Sequence, residues 1–126
     1  MASGTGSVAI AKGSGSSATA TGGDHNKALA LGDGSFAQAL DGSRNTAFAS
    51  GDGSFATAGL SGDNNTARST GPGSVTDASS GDNNTATASG SLASAFAGLG
   101  NNNTATATSP DCMIRVIGVS GQSGSC

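Results

Sequence analysis

Glycine returns every nine or ten residues along most of this chain, and alanine recurs at the same two places between successive glycines. Eleven rungs open at Gly4, Gly13, Gly23, Gly32, Gly42, Gly51, Gly62, Gly71, Gly81, Gly90 and Gly100. Counting that glycine as position 1, position 6 is alanine in every rung except at Thr76, and position 8 in every rung except at Ser69. Positions 5, 7 and 9 vary freely. Constant small residues alternating with variable ones have the period of a strand with one restricted face. The alanine columns are therefore predicted to point inward, where only a methyl fits.

Odd rungs are nine residues long and even rungs ten, except the sixth, which Leu60-Ser61 lengthens to eleven. The two rung types also differ at position 4. Odd rungs from the third on carry Asn26, Asn45, Asn65, Asn84 and Asn103, while even rungs carry Ser16, Ser35, Ser54, Ser74 and then Ala93. Chemically distinct rungs belong on opposite sides of a coil. The pattern predicts an all-β, two-sided β-solenoid with 19 residues per coil and about 5.5 coils, half the rung count. At a spacing of ~4.8 Å that makes a rod of roughly 25 Å. An asparagine at the same turn in successive coils can hydrogen-bond to the backbone and to the asparagine above, which predicts an interior Asn ladder.

Composition alone would suggest disorder, with 22 glycines, four phenylalanines and 10% charged residues. The preserved register argues otherwise, because a register is what a repeat fold needs. A helical reading fails on the recurring glycine and on the Ser, Thr and Asn that fill the gaps.

After Thr108 the pattern breaks at Ser109-Pro110, so residues 4–108 are predicted as the solenoid and 109–126 as a C-terminal cap or docking tail. Cys112 to Val119 is the most apolar stretch and reads as a capping strand over an otherwise open edge. Cys112 and Cys126 could bridge within this tail, stay free or link two chains; spacing alone does not choose.

Chemistry finds little foothold. His25 is the only histidine and stands in the turn Gly23-Asp24-His25-Asn26. No serine has a base partner in sequence or sits in a nucleophile elbow. No catalytic residue is assigned, and no enzyme is expected. Asp24, Asp33, Asp52, Asp63 and Asp82 occupy position 2 directly after glycine, whereas the nonapeptide calcium roll places its aspartate late in the turn. They read as turn formers and no metal site is assigned; calcium is the one ion they leave open, and no other cofactor is expected. Asn64, Asn83 and Asn102 head N-x-T sequons, a spacing the repeat itself creates. Five scattered basic residues and a net charge of −3 argue against nucleic acid. No apolar run approaches the ~20 residues of a membrane span. Met1-Ala2-Ser3-Gly4 has neither the basic nor the apolar region of a signal peptide.

Information therefore lies in the outward columns. On the even face, Phe36, Phe55 and Val75 stack at position 5, with Leu40 and Phe96 beside them. Phenylalanine cannot enter an alanine-sized interior, so this stripe is expected at the surface, where contiguous apolar area marks an interface. On the odd face the first coils are apolar, with Leu29 and Leu31 among them. The later coils carry threonine at Thr46, Thr66, Thr85, Thr87, Thr104, Thr106 and Thr108, as strand propensity alone would also favour.

Two resemblances follow. Gly6-Ser7-Val8-Ala9-Ile10 and the G-x-x-S-x-A-x-A rungs resemble head repeats of trimeric autotransporter adhesins over residues 4–108. That likeness implies a left-handed β-roll with small residues inside, trimerisation through outward apolar ones, and adhesion. Thr85-Ala86-Thr87-Ala88-Ser89 and Thr104-Ala105-Thr106-Ala107-Thr108 resemble the T-x-T arrays of β-solenoid ice-binding proteins, which implies threonine ranks matched to ice. The leading expectation is a non-enzymatic structural protein of the cell surface or an extracellular fibre. It would self-associate, as a homo-oligomer or filament, through Phe36, Phe55, Val75, Leu40, Phe96, Leu29 and Leu31. The alternative is ice binding through the threonine columns.

Overall fold

A computed structural model describes all 126 residues, and it is a β-solenoid of about six turns, each of roughly 19 residues. Thirteen strands follow one another around it: β1 (Val8–Ala11), β2 (Ser17–Ala20), β3 (Lys27–Ala30), β4 (Phe36–Ala39), β5 (Thr46–Ala49), β6 (Phe55–Ala58), β7 (Thr66–Ser69), β8 (Val75–Ser79), β9 (Thr85–Ala88), β10 (Ser94–Gly98), β11 (Thr104–Ala107), β12 (Met113–Ile117) and β13 (Ser123–Ser125). Odd strands form a seven-stranded parallel sheet and even strands a six-stranded one, each strand pairing with the strand two along. The predicted all-β, two-sided architecture with an alanine interior is the observed one.

The register holds every column in line. Ala28 pairs with Ala47, Ala47 with Ala67 and Ala67 with Ala86 on one side. Ala37 pairs with Ala56 on the other, and Ala56 with Thr76, where threonine replaces alanine. Nineteen alanines and Val116 make the buried apolar core, most of the alanines with no exposed surface. A methyl group buries little area, so hydrophobic transfer from this core is modest. Backbone ladders supply much of the rest, with 79 main-chain hydrogen bonds in 126 residues.

Two turn features make the coils close. At position 1 the main chains of successive coils touch: a Cβ on Gly23 would fall on the carbonyl of Gly42, and one on Gly51 on that of Gly71. Position 3 is left-handed in every rung. The first rung and the even rungs to the eighth place glycine there (Gly6, Gly15, Gly34, Gly53, Gly73), but odd rungs from the third on hold His25, Arg44, Asn64, Asn83 and Asn102 at φ of 58–62°, and the tenth rung holds Leu92 at 56°. Asparagine tolerates this region better than other side chains do, which fits its recurrence in the later odd rungs.

The tail departs from the expectation in one respect. Ser109-Pro110 does not stop the repeat, because Pro72 already occupies the same turn position in the eighth rung. β12 joins the even sheet in register, Ile114 opposite Ala95 and Val116 opposite Ala97, and β13 joins the odd sheet with Gly124 opposite Ala105. The larger Ile114 and Val116 fit because their neighbour across the coil has no side chain. A Cβ on Gly124 would lie 3.0 Å from Ile114 Cδ1 and 3.1 Å from Val116 Cγ2. Residues 109–126 therefore add a final coil of two strands, where a single capping strand was expected, which raises the count from 5.5 to about six.

Cys112 and Cys126 are joined by a disulfide with a Cα–Cα distance of 6.1 Å. Cys112 stands at position 4 of its rung and Cys126 at position 8 of the next. The same corner brings Ser69 Oγ within 2.6 Å of Ser74 Oγ, five residues on. A coil of 19 less that five-residue corner is 14, the separation of the cysteines. The bridge thus closes the last coil into a ring. At the other end Met1–Ser3 lie along β2, with Ala2 bridging Ala20. No helix is long and apolar enough to cross a membrane.

Candidate interaction surfaces

The position-4 asparagines are wholly buried and form a continuous ladder. Each Oδ1 accepts the main-chain N–H of the same position one coil on: Asn26 from Asn45, Asn45 from Asn65 and Asn65 from Asn84 at 2.9 Å, Asn84 from Asn103 at 3.0 Å, and Asn103 from Gln122 at 3.1 Å. Their amides differ. Asn45 Nδ2 donates to the carbonyls of Leu40, Asp41 and Gly62, whereas Asn65 and Asn84 Nδ2 have no partner. These residues lie inside the fold and are closed to any ligand.

The aspartates form two further ladders, Asp24, Asp63 and Asp82 at the odd-rung turns and Asp33 and Asp52 at the even-rung turns, and both run the opposite way. Asp24 Oδ1 accepts from Thr5 N–H, Asp33 from Ser14, Asp52 from Asp33, Asp63 from Ser43 and Asp82 from Asp63, each donor one coil earlier. Asn101 and Ser120 continue the odd-rung column. One oxygen of each aspartate thus fixes its turn. No three His, Cys, Asp or Glu side chains come together as a metal cluster would require. His25 is left-handed at φ 59° in its turn, and its ring lies over Gly6.

On the even face, Ser17, Phe36, Phe55, Val75, Ser94 and Met113 fall in one column. The Phe36 and Phe55 rings stack with centroids 5.1 Å apart and planes 8° from parallel. Phe55 is 38% and Val75 43% exposed, so the column reaches solvent. Thr57, outward in the register, is buried by its neighbours. Leu40 is half-buried just beyond β4. Phe96 stands in the adjacent column and is roofed by Arg115, whose guanidinium carbon is 5.4 Å from the ring centre. Asp77 lies between Thr57 and Phe96 in that column. Burial lifts its carboxyl above the ordinary carboxylate range, a hydrogen bond with Ser79 opposes this, and Oδ1 has no partner.

Leu29 and Leu31 lie on the sheet opposite the phenylalanine stripe, the side their odd rung assigns them. The seven expected association residues thus divide between the even face and the odd face, where Leu29 lines a groove of about 260 Å³ with Val8, Ile10, Lys27, Thr46 and Phe48, and Leu31 stands exposed outside it. Val8 and Ile10 complete this second patch, and their outward positions 5 and 7 made them legible as members. Farther along, Thr46, Thr66, Thr85 and Thr104 align at position 5, and Thr87 with Thr106 at position 7. Arg68 precedes Thr87 in its column and lies over the Phe48 ring at 5.4 Å. Thr108 donates its hydroxyl to the Cys126 carbonyl at 3.0 Å. Leu60, Leu92 and Leu99, exposed at the corners, lie outside the strand columns and carried no periodic signal. Compared with known protein families, curated proteins and solved structures, the chain matches none.

Proposed function

We propose that this chain is a non-enzymatic structural repeat protein whose copies associate through the even-face column. The stacked Phe36 and Phe55, continued by Val75, carry the reading. A rigid sheet holds these side chains outward over an interior that admits only small ones, so folding alone cannot bury them. A contiguous apolar stripe on a narrow rod gains most by being covered by another copy. The disulfide supports an oxidising site of action, a cell surface or an extracellular fibre. Sedimentation velocity across a concentration series is the test. Wild-type protein is expected to associate with rising concentration and Phe55→Ser to weaken that association. A strict monomer at every concentration, or association indifferent to Phe55→Ser, would refute the reading.

A second reading has its own observation. Thr85 with Thr104 and Thr87 with Thr106 stand side by side on neighbouring parallel strands. They form a regular hydroxyl and methyl grid at ~4.8 Å between strands. Such a grid suits an ordered water lattice, and ice binding would then run through this end of the odd face. Thermal hysteresis that falls in Thr87→Tyr is the expected result; its absence in the wild type removes the reading.

A further inference from the structure

The odd face separates charge in a way that the net charge of −3 conceals. Lys12, Lys27 and Arg68 point outward from it at positions 9, 5 and 7, and no acidic residue occupies any outward position of an odd rung. Seven of the eight acidic side chains lie in turns, and the eighth, Asp77, is on the even face. Among these cations lie Val8, Ile10 and Leu31, exposed by 44, 41 and 37%. Basic and apolar groups thus share one rigid surface from which no acid points outward, the nearest carboxylates, Asp24 and Asp33, lying in the turns that border it.

We propose that this N-terminal part of the odd face rests on an anionic lipid bilayer, with Val8, Ile10 and Leu31 entering the headgroup boundary and Lys12, Lys27 and Arg68 pairing with lipid phosphates and carboxylates. The partner must offer negative charge and an apolar phase at the same depth, and an anionic membrane surface offers both. A second copy meeting this face with its own would bring the cations together with no acid between them. A nucleic acid would satisfy the cations but leave the three aliphatic side chains covered by nothing apolar. The aromatic best placed to stack on a base, Phe48, is already under Arg68. Lysine stems can lie along the apolar surface while the ammonium reaches outward. The inference does not rest on even-face association, because the two surfaces lie on opposite sheets.

The test is co-sedimentation of the intact chain with vesicles of phosphatidylcholine containing phosphatidylserine, against pure phosphatidylcholine vesicles. Binding is expected only to the anionic vesicles, and it should decline as salt rises. Lys12→Gln and Lys27→Gln should each weaken it about fivefold, the worth of one basic residue near such a surface. Ile10→Ser should weaken it too, while Phe55→Ser leaves it unchanged. All four replacements are at outward positions, and a circular-dichroism melt like the wild type's confirms that each folds. The proposal is overturned by failure to bind anionic vesicles, by equal binding to neutral ones, or by lysine variants that bind as well as wild type. It is also overturned if Ile10→Ser and Lys27→Gln abolish association between copies and leave vesicle binding intact. Sedimentation velocity of Phe55→Ser reads the even-face proposal separately, so either can fail alone.

Discussion

A buried asparagine is costly unless its polar atoms are used, and this interior uses them unequally. Asn45 accepts one main-chain N–H and donates to three carbonyls, whereas Asn84 accepts one N–H and leaves its amide unpartnered. Either substitution by alanine orphans the N–H of the next coil, at a cost of about 1–3 kcal/mol. Asn45→Ala also frees three carbonyls, while Asn84→Ala removes an amide already in deficit. Asn45→Ala is therefore expected to be the more destabilising in denaturant unfolding, and equal losses would count against this ranking. Asp77 gives a pH signature. Its folded-state pKa is raised by burial, so the native state holds a proton more readily than the unfolded chain does. Its contribution favours the fold below the ordinary carboxylate value and is lost as the pH rises through the folded value. Asp77→Asn is expected to raise the melting temperature at neutral pH, with the gain shrinking on acidification. A loss of stability at pH 7 would show that the carboxylate makes a favourable contact.

At the scale of an element, the unit is a four-residue strand plus a turn whose third residue is left-handed. The strands were legible because alanine alternates with variable residues. The last two were harder to place, because Ile114 and Val116 replace alanine and Gly124 compensates only across the coil. That compensation joins residues eight and ten apart in sequence and carries no periodic trace. β13 has the sequence Ser-Gly-Ser and no buried side chain of its own, so the disulfide and the main-chain ladder hold it. Reduction is expected to release Gln122–Cys126 while the alanine-packed coils stay folded. Hydrogen exchange reads this as lost protection in residues 122–126 alone, with an overall loss of at most roughly 3 kcal/mol for a loop of this length. Global loss of protection on reduction would mean that the last coil nucleates the rest.

At the scale of the molecule, each coil touches only its neighbours, so stability is a sum over coils and their interfaces. Removing the nineteen residues from Gly62 to Ser80 would join Ser61 to Gly81 and place every later position in the same column as before. Asn45 Oδ1 would then meet the N–H of Asn84, and Asp82 the N–H of Ser43. The shortened chain is expected to unfold cooperatively at a lower temperature. Removing only the ten residues from Gly71 to Ser80 would set odd rungs on the even side and is expected to scramble the fold. Circular dichroism of the two deletions distinguishes them, and comparable disruption in both would refute the additive picture.

The chain by itself determined the strand period, the alternation of two rung types, the alanine interior, the position of the Asn ladder and which side chains point outward. Each follows from local periodicity, because a residue's column is set by its place in the rung. Tertiary structure decided the rest. It set the opposed directions of the Asn and Asp ladders, which depend on contacts nineteen or twenty residues apart. It joined Cys112 to Cys126 among the pairings that spacing had left open. It laid the Phe36 and Phe55 rings nearly parallel and brought Arg115 over Phe96. Above all it turned the tail into a further coil, because Gly124 makes room across the interior for Ile114 and Val116, a fit that no local period records.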